Sequence, residues 1–444
     1  MSSTKIAKWG LLIIGTLVWS ATMFQSGRIY NYGMGFWGPH GHDAVWHISL
    51  ARSLSEGSLQ MPIFAGEQLK NYHLGFDLLL AGLHRLTSLP LPWLYFQILP
   101  PILALSIGYL VYQLVFRWQR SRTAAWWSAF FVYFGGSWGW LVSFIRSGSF
   151  GGESMFWSQQ AISTLINPPF ALSVLLLLAG LLALQKRQFW PAVLVFAVVG
   201  WVKIYAGIIG FSGLLLWSIG VWRQNRDLFS FRVLFLSGFL FLVLFLPFNL
   251  NAGNLLVWRP FWFLETVVGL SDRFNWSYLY EVIVTNNLAG NYLKSSVALI
   301  AAFSLFIVGN LGTRIIFIYN LRLKSQILNP TSVFLWQGIA LGIIFPLFFI
   351  QSGTPWNTIQ FFYYSQLFLG ILAGISVSRI FKIWNFNILC IISFWFLLLD
   401  FIFSWKSVSS WLYQPDNHHY VFYRHNCFLI GVSRSIHRQS INSG

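Results

Sequence analysis

The chain reads as an all-α, polytopic membrane protein with about eleven transmembrane helices and a cytoplasmic N-terminus. Three observations lead there. Of its 444 residues 56% are hydrophobic and 19% aromatic, only 9% are charged, and the mean hydropathy is +0.63, which no soluble globular composition matches. Apolar runs long enough to cross a bilayer recur along the whole chain. The basic residues gather in the turns between alternate runs.

A helix needs about 20 apolar residues to span the hydrocarbon layer. Such runs lie near residues 9–25, 94–116, 124–145, 169–185, 189–203, 205–222, 229–249, 295–318, 333–351, 361–378 and 386–404. The first follows Lys5 and Lys8 without a convincing small-residue cleavage site, so it reads as an uncleaved span and not a signal peptide. Arg117, Arg120 and Arg122, then Lys186 and Arg187, Arg223 and Arg226, Arg322 and Lys324, and Arg379 and Lys382 occupy alternate turns. By the positive-inside rule those turns are cytoplasmic. The segments 26–93, 146–168, 250–294 and 352–360 then face outward, and residues 1–405 form one membrane domain followed by a polar tail, 406–444. The expected location is the plasma (inner) membrane.

The net charge of +17 does not indicate a nucleic-acid partner, because the basic residues are scattered in ones and twos and form no stripe. Two cysteines, Cys390 and Cys427, offer no disulfide framework. No phosphate-cradling glycine loop precedes a helix. No internal repeat is visible.

The first outer segment is the informative one. It reads Gly41-His42-Asp43-Ala44-Val45-Trp46-His47, continues through Glu56 and Glu67, and closes on Asn71-Tyr72-His73-Leu74-Gly75. Helical spacing puts Asp43, Trp46 and His47 on one face. Asp43 also fits a helix N-cap after Gly41 and His42. From Leu74 to Leu89 an apolar segment too short to span, interrupted by Asp77, His84 and Arg85, reads as an amphipathic juxtamembrane helix. Pro168 and Pro169 open the fourth span. Lys203 stands between two apolar runs that are each barely long enough to cross, where a cation is costly unless it snorkels or meets an anion. Arg259 and Glu265 lie in the third outer loop and can pair with each other, while Asn357 sits in the short fourth loop. Asp400, in the last run, receives no role.

The outer segments thus offer carboxylates (Asp43, Glu67, Glu153, Glu265), cations (Lys203, Arg259) and imidazoles (His47, His73) at headgroup level. This mixture suits displacement of a lipid phosphate. A carboxylate takes the proton of an acceptor hydroxyl, and cations hold the departing phosphate.

The order of one span, a long outer loop with an acid followed by Trp46-His47, then Asn71-Tyr72-His73 and a short amphipathic helix resembles polytopic glycosyltransferases of the GT-C superfamily. More narrowly, it resembles bacterial relatives of the dolichyl-phosphate-mannose protein mannosyltransferases. Asn167-Pro168-Pro169-Phe170, Lys203-Ile204-Tyr205, and Trp356-Asn357 through Phe361-Phe362-Tyr363-Tyr364 are similar to such proteins as well. The resemblance implies a GT-C-like fold and transfer of a sugar from a polyprenyl-phosphate donor to a lipid-linked glycan or protein outside the cytoplasm, with Asp43 as catalytic base. It implies that Lys203, Arg259 and His73 bind the donor phosphate and that Trp46, His47, Asn71, Tyr72, Glu153 and Asn357 line the pocket. Members often continue into a soluble outer domain, where this chain has only its short tail.

Two other readings stand beside it. A transporter or flippase of a lipid-linked sugar would also use a cationic cavity at headgroup level. No cofactor is expected, although His40, His42, His47 and His73 with Asp43 have spacing that could hold a divalent ion near the donor phosphate.

Overall fold

Three helices begin where the sequence supplies a side-chain acceptor ahead of an apolar run. Ser121 Oγ accepts from Ala124 N–H, Asn167 Oδ1 from Phe170 N–H, and Asn329 Oδ1 from Thr331 N–H, the last two immediately before prolines whose missing N–H costs nothing in a first turn. The structure is a computed structural model that describes residues 3–31, 33–36, 40–64, 66–149, 152, 155–158, 161–250, 256–322, 329–383 and 420–422. The eleventh expected span, 386–404, Asp400, Glu153 and all of the tail but residues 420–422 lie outside the described residues.

In chain order the helices are α1 (Ser3–Ala21), α2 (His40–Ser55), α3 (Gly75–Thr87), α4 (Leu91–Gln119), α5 (Arg122–Phe134), α6 (Gly139–Ser147), α7 (Pro168–Gln185), α8 (Phe189–Val202), α9 (Ile204–Asn225), α10 (Phe229–Asn249), α11 (Trp262–Gly269), α12 (Ser277–Leu288), α13 (Tyr292–Leu311), α14 (Pro330–Phe348) and α15 (Gln360–Ile383). Short strands β1 (Arg28–Tyr30), β2 (Gly33–Phe36), β3 (Leu256–Trp258), β4 (Phe349–Gln351) and β5 (Tyr420–Phe422) pair antiparallel as β1-β2-β5 and β3-β4. Part of the polar tail therefore adds a strand to the first outer segment, which its aperiodic sequence did not announce.

Among the described residues, seven helices are long and apolar enough to cross a membrane, or eight if a bent pair counts as one. The bent pair is α5 and α6, where the expected span 124–145 turns by 46° at Gly135–Trp138. The expected span 189–203 is α8, with 14 residues, about 21 Å long against about 30 Å of hydrocarbon. Helix α1 carries Lys5 and Lys8 in its first turns and also falls outside that set.

The bundle has two chemically different ends. At one end the basic turns interlock: Arg117 donates to Gln185 O, Arg187 pairs with Asp227 at 2.5 Å, and Arg379 reaches Asn320 Oδ1 and Gln119 Oε1 at 2.8 Å each. At the other end the close of α10 meets the first outer segment, with Asn71 N–H donating to Phe248 O at 2.8 Å.

The bend between α5 and α6 frees carbonyls inside an apolar bundle, and such groups must find donors there. Arg314, fully buried and not anticipated from the sequence, ties the bend to α13: its guanidinium donates to Gly135 O at the bend and, at 3.0 Å, to Asn310 O in the last turn of α13. Gly312 lets the two segments touch, since a Cβ there would overlap the carbonyl oxygen of Gly136, and its φ of +53° is itself unfavourable for an L side chain. Gly312→Ala is expected to lower the thermal unfolding midpoint in detergent far more than Gly290→Ala, where φ is +71° but nothing lies near the added carbon. Equal shifts would mean that only backbone strain is at stake, about 1–2 kcal/mol.

Candidate active site

Asp43 lies in the first turn of α2, which starts at His40, so it is inside the helix and not its N-cap. Its side chain is 54% exposed and touches His42 Nδ1 at 2.9 Å. One turn on, the same face goes inward. Trp46 packs edge-on against Tyr72 at 5.6 Å, and His47 is buried.

Helix α3 explains why His47 can be buried. Phe76, Asp77, Leu80 and Ala81 form its packed face, so a carboxylate sits at an apolar register position. Asp77 is 0% exposed, and its Oδ1 accepts from His47 Nδ1 at 2.7 Å. Burial holds the Asp77 carboxyl above its ordinary range, against the opposing pull of His47 and Lys203. The imidazole is further fixed by Phe76 edge-on at 5.7 Å and Tyr95 stacked at 6.0 Å. Tyr95 occupies a π-helical turn, Leu94–Ile98, at the start of α4. Pro100 and Pro101 remove the N–H groups that would close ordinary turns there, which loosens the helix by one residue.

Lys203 is the single residue joining α8 to α9. Its extended backbone (φ −155°, ψ 115°) ends one helix and starts the next. It is 5% exposed, and among the described residues its ammonium has no hydrogen bond or ion pair. Gly75 brings α3 onto this turn, because a Cβ at that position would stand 3.0 Å from the Trp201 carbonyl. Asp43 and Asp77 are both within electrostatic reach of Lys203. His73, stacked on Tyr72 at 4.6 Å, is driven down to about 3 by burial and by the positive charge of Lys203 and His47. His40, bonded to Ser26 Oγ at 2.7 Å, is lowered to about 4 by burial, with Asp43 opposing.

Of the sequence-derived candidates, the structure brings together Asp43, Trp46, His47, Tyr72, His73 and Lys203. Asn71 joins them only through its backbone, with its side chain exposed. Arg259 belongs elsewhere: it is exposed beside β3, and its charge is felt by half-buried Glu265. Asn357 accepts from Gln360 within its own short turn, and Glu67 is exposed. The four histidines make separate contacts, and among the described residues no three His, Cys, Asp or Glu side chains converge as a metal site.

The sequence reading passed over three residues. Asp77 was taken as an interruption of an apolar helix, although a carboxylate three residues before Leu80 and four before Ala81 is the signal of a buried acid. Tyr363 at the start of α15 lies within electrostatic reach of both Asp43 and Arg273. Arg273 in turn lies over the Trp157 ring at 3.8 Å, and Trp157 stacks on Trp356 at 4.7 Å. These contacts join segments 90 or more residues apart, so no local pattern could show them.

No family model matches the chain, and no curated protein does. Among solved structures it is similar to the Archaeoglobus fulgidus oligosaccharyltransferase in its apo form, with a TM-score of 0.49 and 13% identity over 91% of this chain and 56% of that one. It is also similar to the archaeal oligosaccharyltransferase AglB from Archaeoglobus fulgidus in complex with an inhibitory peptide and a dolichol-phosphate, with a TM-score of 0.46 and 12% identity over 92% and 56% of the two chains. The chain thus spans little more than half the length of either.

Two stability experiments follow from the site. Lys203→Met removes a buried charge that has no hydrogen bond or ion pair among the described residues, so the unfolding midpoint in detergent should stay the same or rise; a drop of several degrees would mean that protein groups hold the ammonium. His40 and His73 have folded values of about 4 and about 3 against 6.5 when unfolded. The unfolded chain therefore binds more protons below 6.5, and stability is lost as pH falls from 6.5 toward 4. The His40→Gln/His73→Gln double variant should show a flatter midpoint between pH 6.5 and 4 than the parent, with Asp77 contributing equally to both.

Proposed function

We propose that this chain is a membrane glycosyltransferase that moves a sugar from a polyprenyl-phosphate donor to a lipid-linked glycan or protein acceptor on the extracytoplasmic side of the plasma membrane. The observation that carries the reading is the pairing of opposites at one end of the bundle: an open carboxylate, Asp43, within electrostatic reach of a buried ammonium, Lys203, to which no protein group is bonded among the described residues.

The two groups suit the two halves of the transfer. Asp43 takes the acceptor hydroxyl proton as its oxygen forms the bond to sugar C1. The bond from C1 to the phosphate oxygen breaks, and its electron pair goes to the phosphate. A phosphodiester with one negative charge becomes a monoester with two, and Lys203 meets that charge where water is scarce and its field is strong. Trp46 packed against Tyr72, and Tyr363 within electrostatic reach of Asp43, present the amphipathic surfaces that sugar rings and prenyl chains pack against. The GT-C resemblance of the sequence places the base at the same acid. In this reading the basic end of the bundle is cytoplasmic, and the site opens toward the outer leaflet.

Asp43→Asn is the test. It keeps shape and polarity at an exposed position, so the protein should fold with an unchanged unfolding midpoint. Transfer of labelled sugar from polyprenyl phosphate in reconstituted membranes should fall about 10²- to 10⁴-fold. Full activity in the Asn variant would leave Asp43 without a catalytic part. Donor-dependent uptake into vesicles without any glycosylated product would assign the cavity to transport.

A further inference from the structure

Asp77 and His47 are unexplained by a reaction that needs only a base and a phosphate-binding cation. Asp77 is sealed, its hydrogen bond to His47 is 2.7 Å, and it lies within electrostatic reach of Lys203. With Asp77 as a carboxylate, the hydrogen is on His47 Nδ1, so the free edge of the ring is Nε2. Among the described residues, neither His47 Nε2 nor Lys203 Nζ has a hydrogen-bond partner. Neither belongs to the sealed, unpartnered atoms, a set that includes His73 Nδ1 and Asp77 Oδ2. Both therefore reach a space that a small polar group can enter. Gly75, two residues before Asp77, lies against the carbonyl of Trp201, two residues before Lys203, which brings the pair and the ammonium to one turn.

We infer that Asp77 is a positioning residue: it holds His47 so that Nε2 and the Lys203 ammonium together receive the phosphate monoester that leaves on a lipid. The inference rests on the reading that Lys203 faces the donor phosphate, and it adds a second, adjustable partner. Lys203 balances the single charge of the donor diester. The second charge appears only as the bond from sugar C1 to the phosphate oxygen breaks, with its electron pair remaining on that oxygen. His47, carrying a second proton taken from solvent on Nε2, answers it by a hydrogen bond from Nε2–H to the new phosphate oxygen, while Asp77 balances the imidazolium from the other side. Aromatic contacts with Phe76 and Tyr95 fix the ring, so the donor is in place before the charge develops.

The test uses the full-length protein in nanodiscs and two probes, farnesyl phosphate and its methyl diester, with binding followed calorimetrically. His47→Asn retains an N–H for Asp77 but has no second ring nitrogen. Asp77→Asn retains an acceptor for Nδ1–H but lacks the charge. The parent should bind the monoester about ten- to a hundredfold more tightly than the diester. Both variants should bind the two probes alike while keeping the parent's unfolding midpoint. An undiminished monoester preference in both variants, with weakened binding of both probes in Lys203→Met, would reduce the pair to a structural element and leave the glycosyltransferase reading standing. Unchanged binding in Lys203→Met, or no binding of either probe by the parent, would overturn both. Displacement of farnesyl phosphate by an equal concentration of inorganic phosphate would assign the site to the free anion and overturn the lipid source.

Discussion

One ammonium group at a helix break sets the chemistry of this protein. Helix α8 is too short to cross a bilayer, and the chain reverses through a single extended residue, Lys203. A cation in such a place loses its hydration, and only negative charge nearby makes the arrangement tolerable. The two carboxylates within its reach differ in every other respect. Asp77 is sealed and bonded to His47; Asp43 is open to solvent. One acid is thereby committed to the interior, and the other is left available to a substrate.

Holding these groups together requires irregular backbone at membrane depth, which is stable only where each freed carbonyl or N–H is satisfied by protein. Several devices do this. Arg314 gives its guanidinium to the Gly135 carbonyl at the bend between α5 and α6 and to the Asn310 carbonyl in α13. The π turn of α4 absorbs the prolines and delivers Tyr95 to the His47 ring. Gly75 lets α3 press against the carbonyl just before Lys203. At this end, helices stop short, bend or loosen, while the opposite end is tied by interlocking arginines.

How much of this was legible beforehand differs residue by residue. Apolar runs of bilayer length, the helix opened by Pro168 and Pro169, the amphipathic helix after Leu74 and the isolated position of Lys203 are local properties, readable from spacing and composition. The face shared by Asp43, Trp46 and His47 follows from helical periodicity. Arg259 and Asn357 looked equally suitable by residue type, yet one belongs with Glu265 and the other with Gln360. Residue type alone does not say which polar groups converge. Asp77 was misread because an acid within an apolar stretch looks like a break in the pattern, when here it is the buried partner of an imidazole thirty residues earlier.

The amino-acid order by itself determined that the chain lives in a membrane and where most of its long apolar helices run. Those outcomes depend on transfer of short segments between water and lipid, which needs no knowledge of neighbours. Tertiary structure alone decided that Lys203, Asp77, His47 and Asp43 form one electrostatic unit, that α5 and α6 bend, and that Arg314 is buried. Each is a long-range pairing in which a polar group accepts burial only because a distant segment completes its hydrogen bonds or balances its charge.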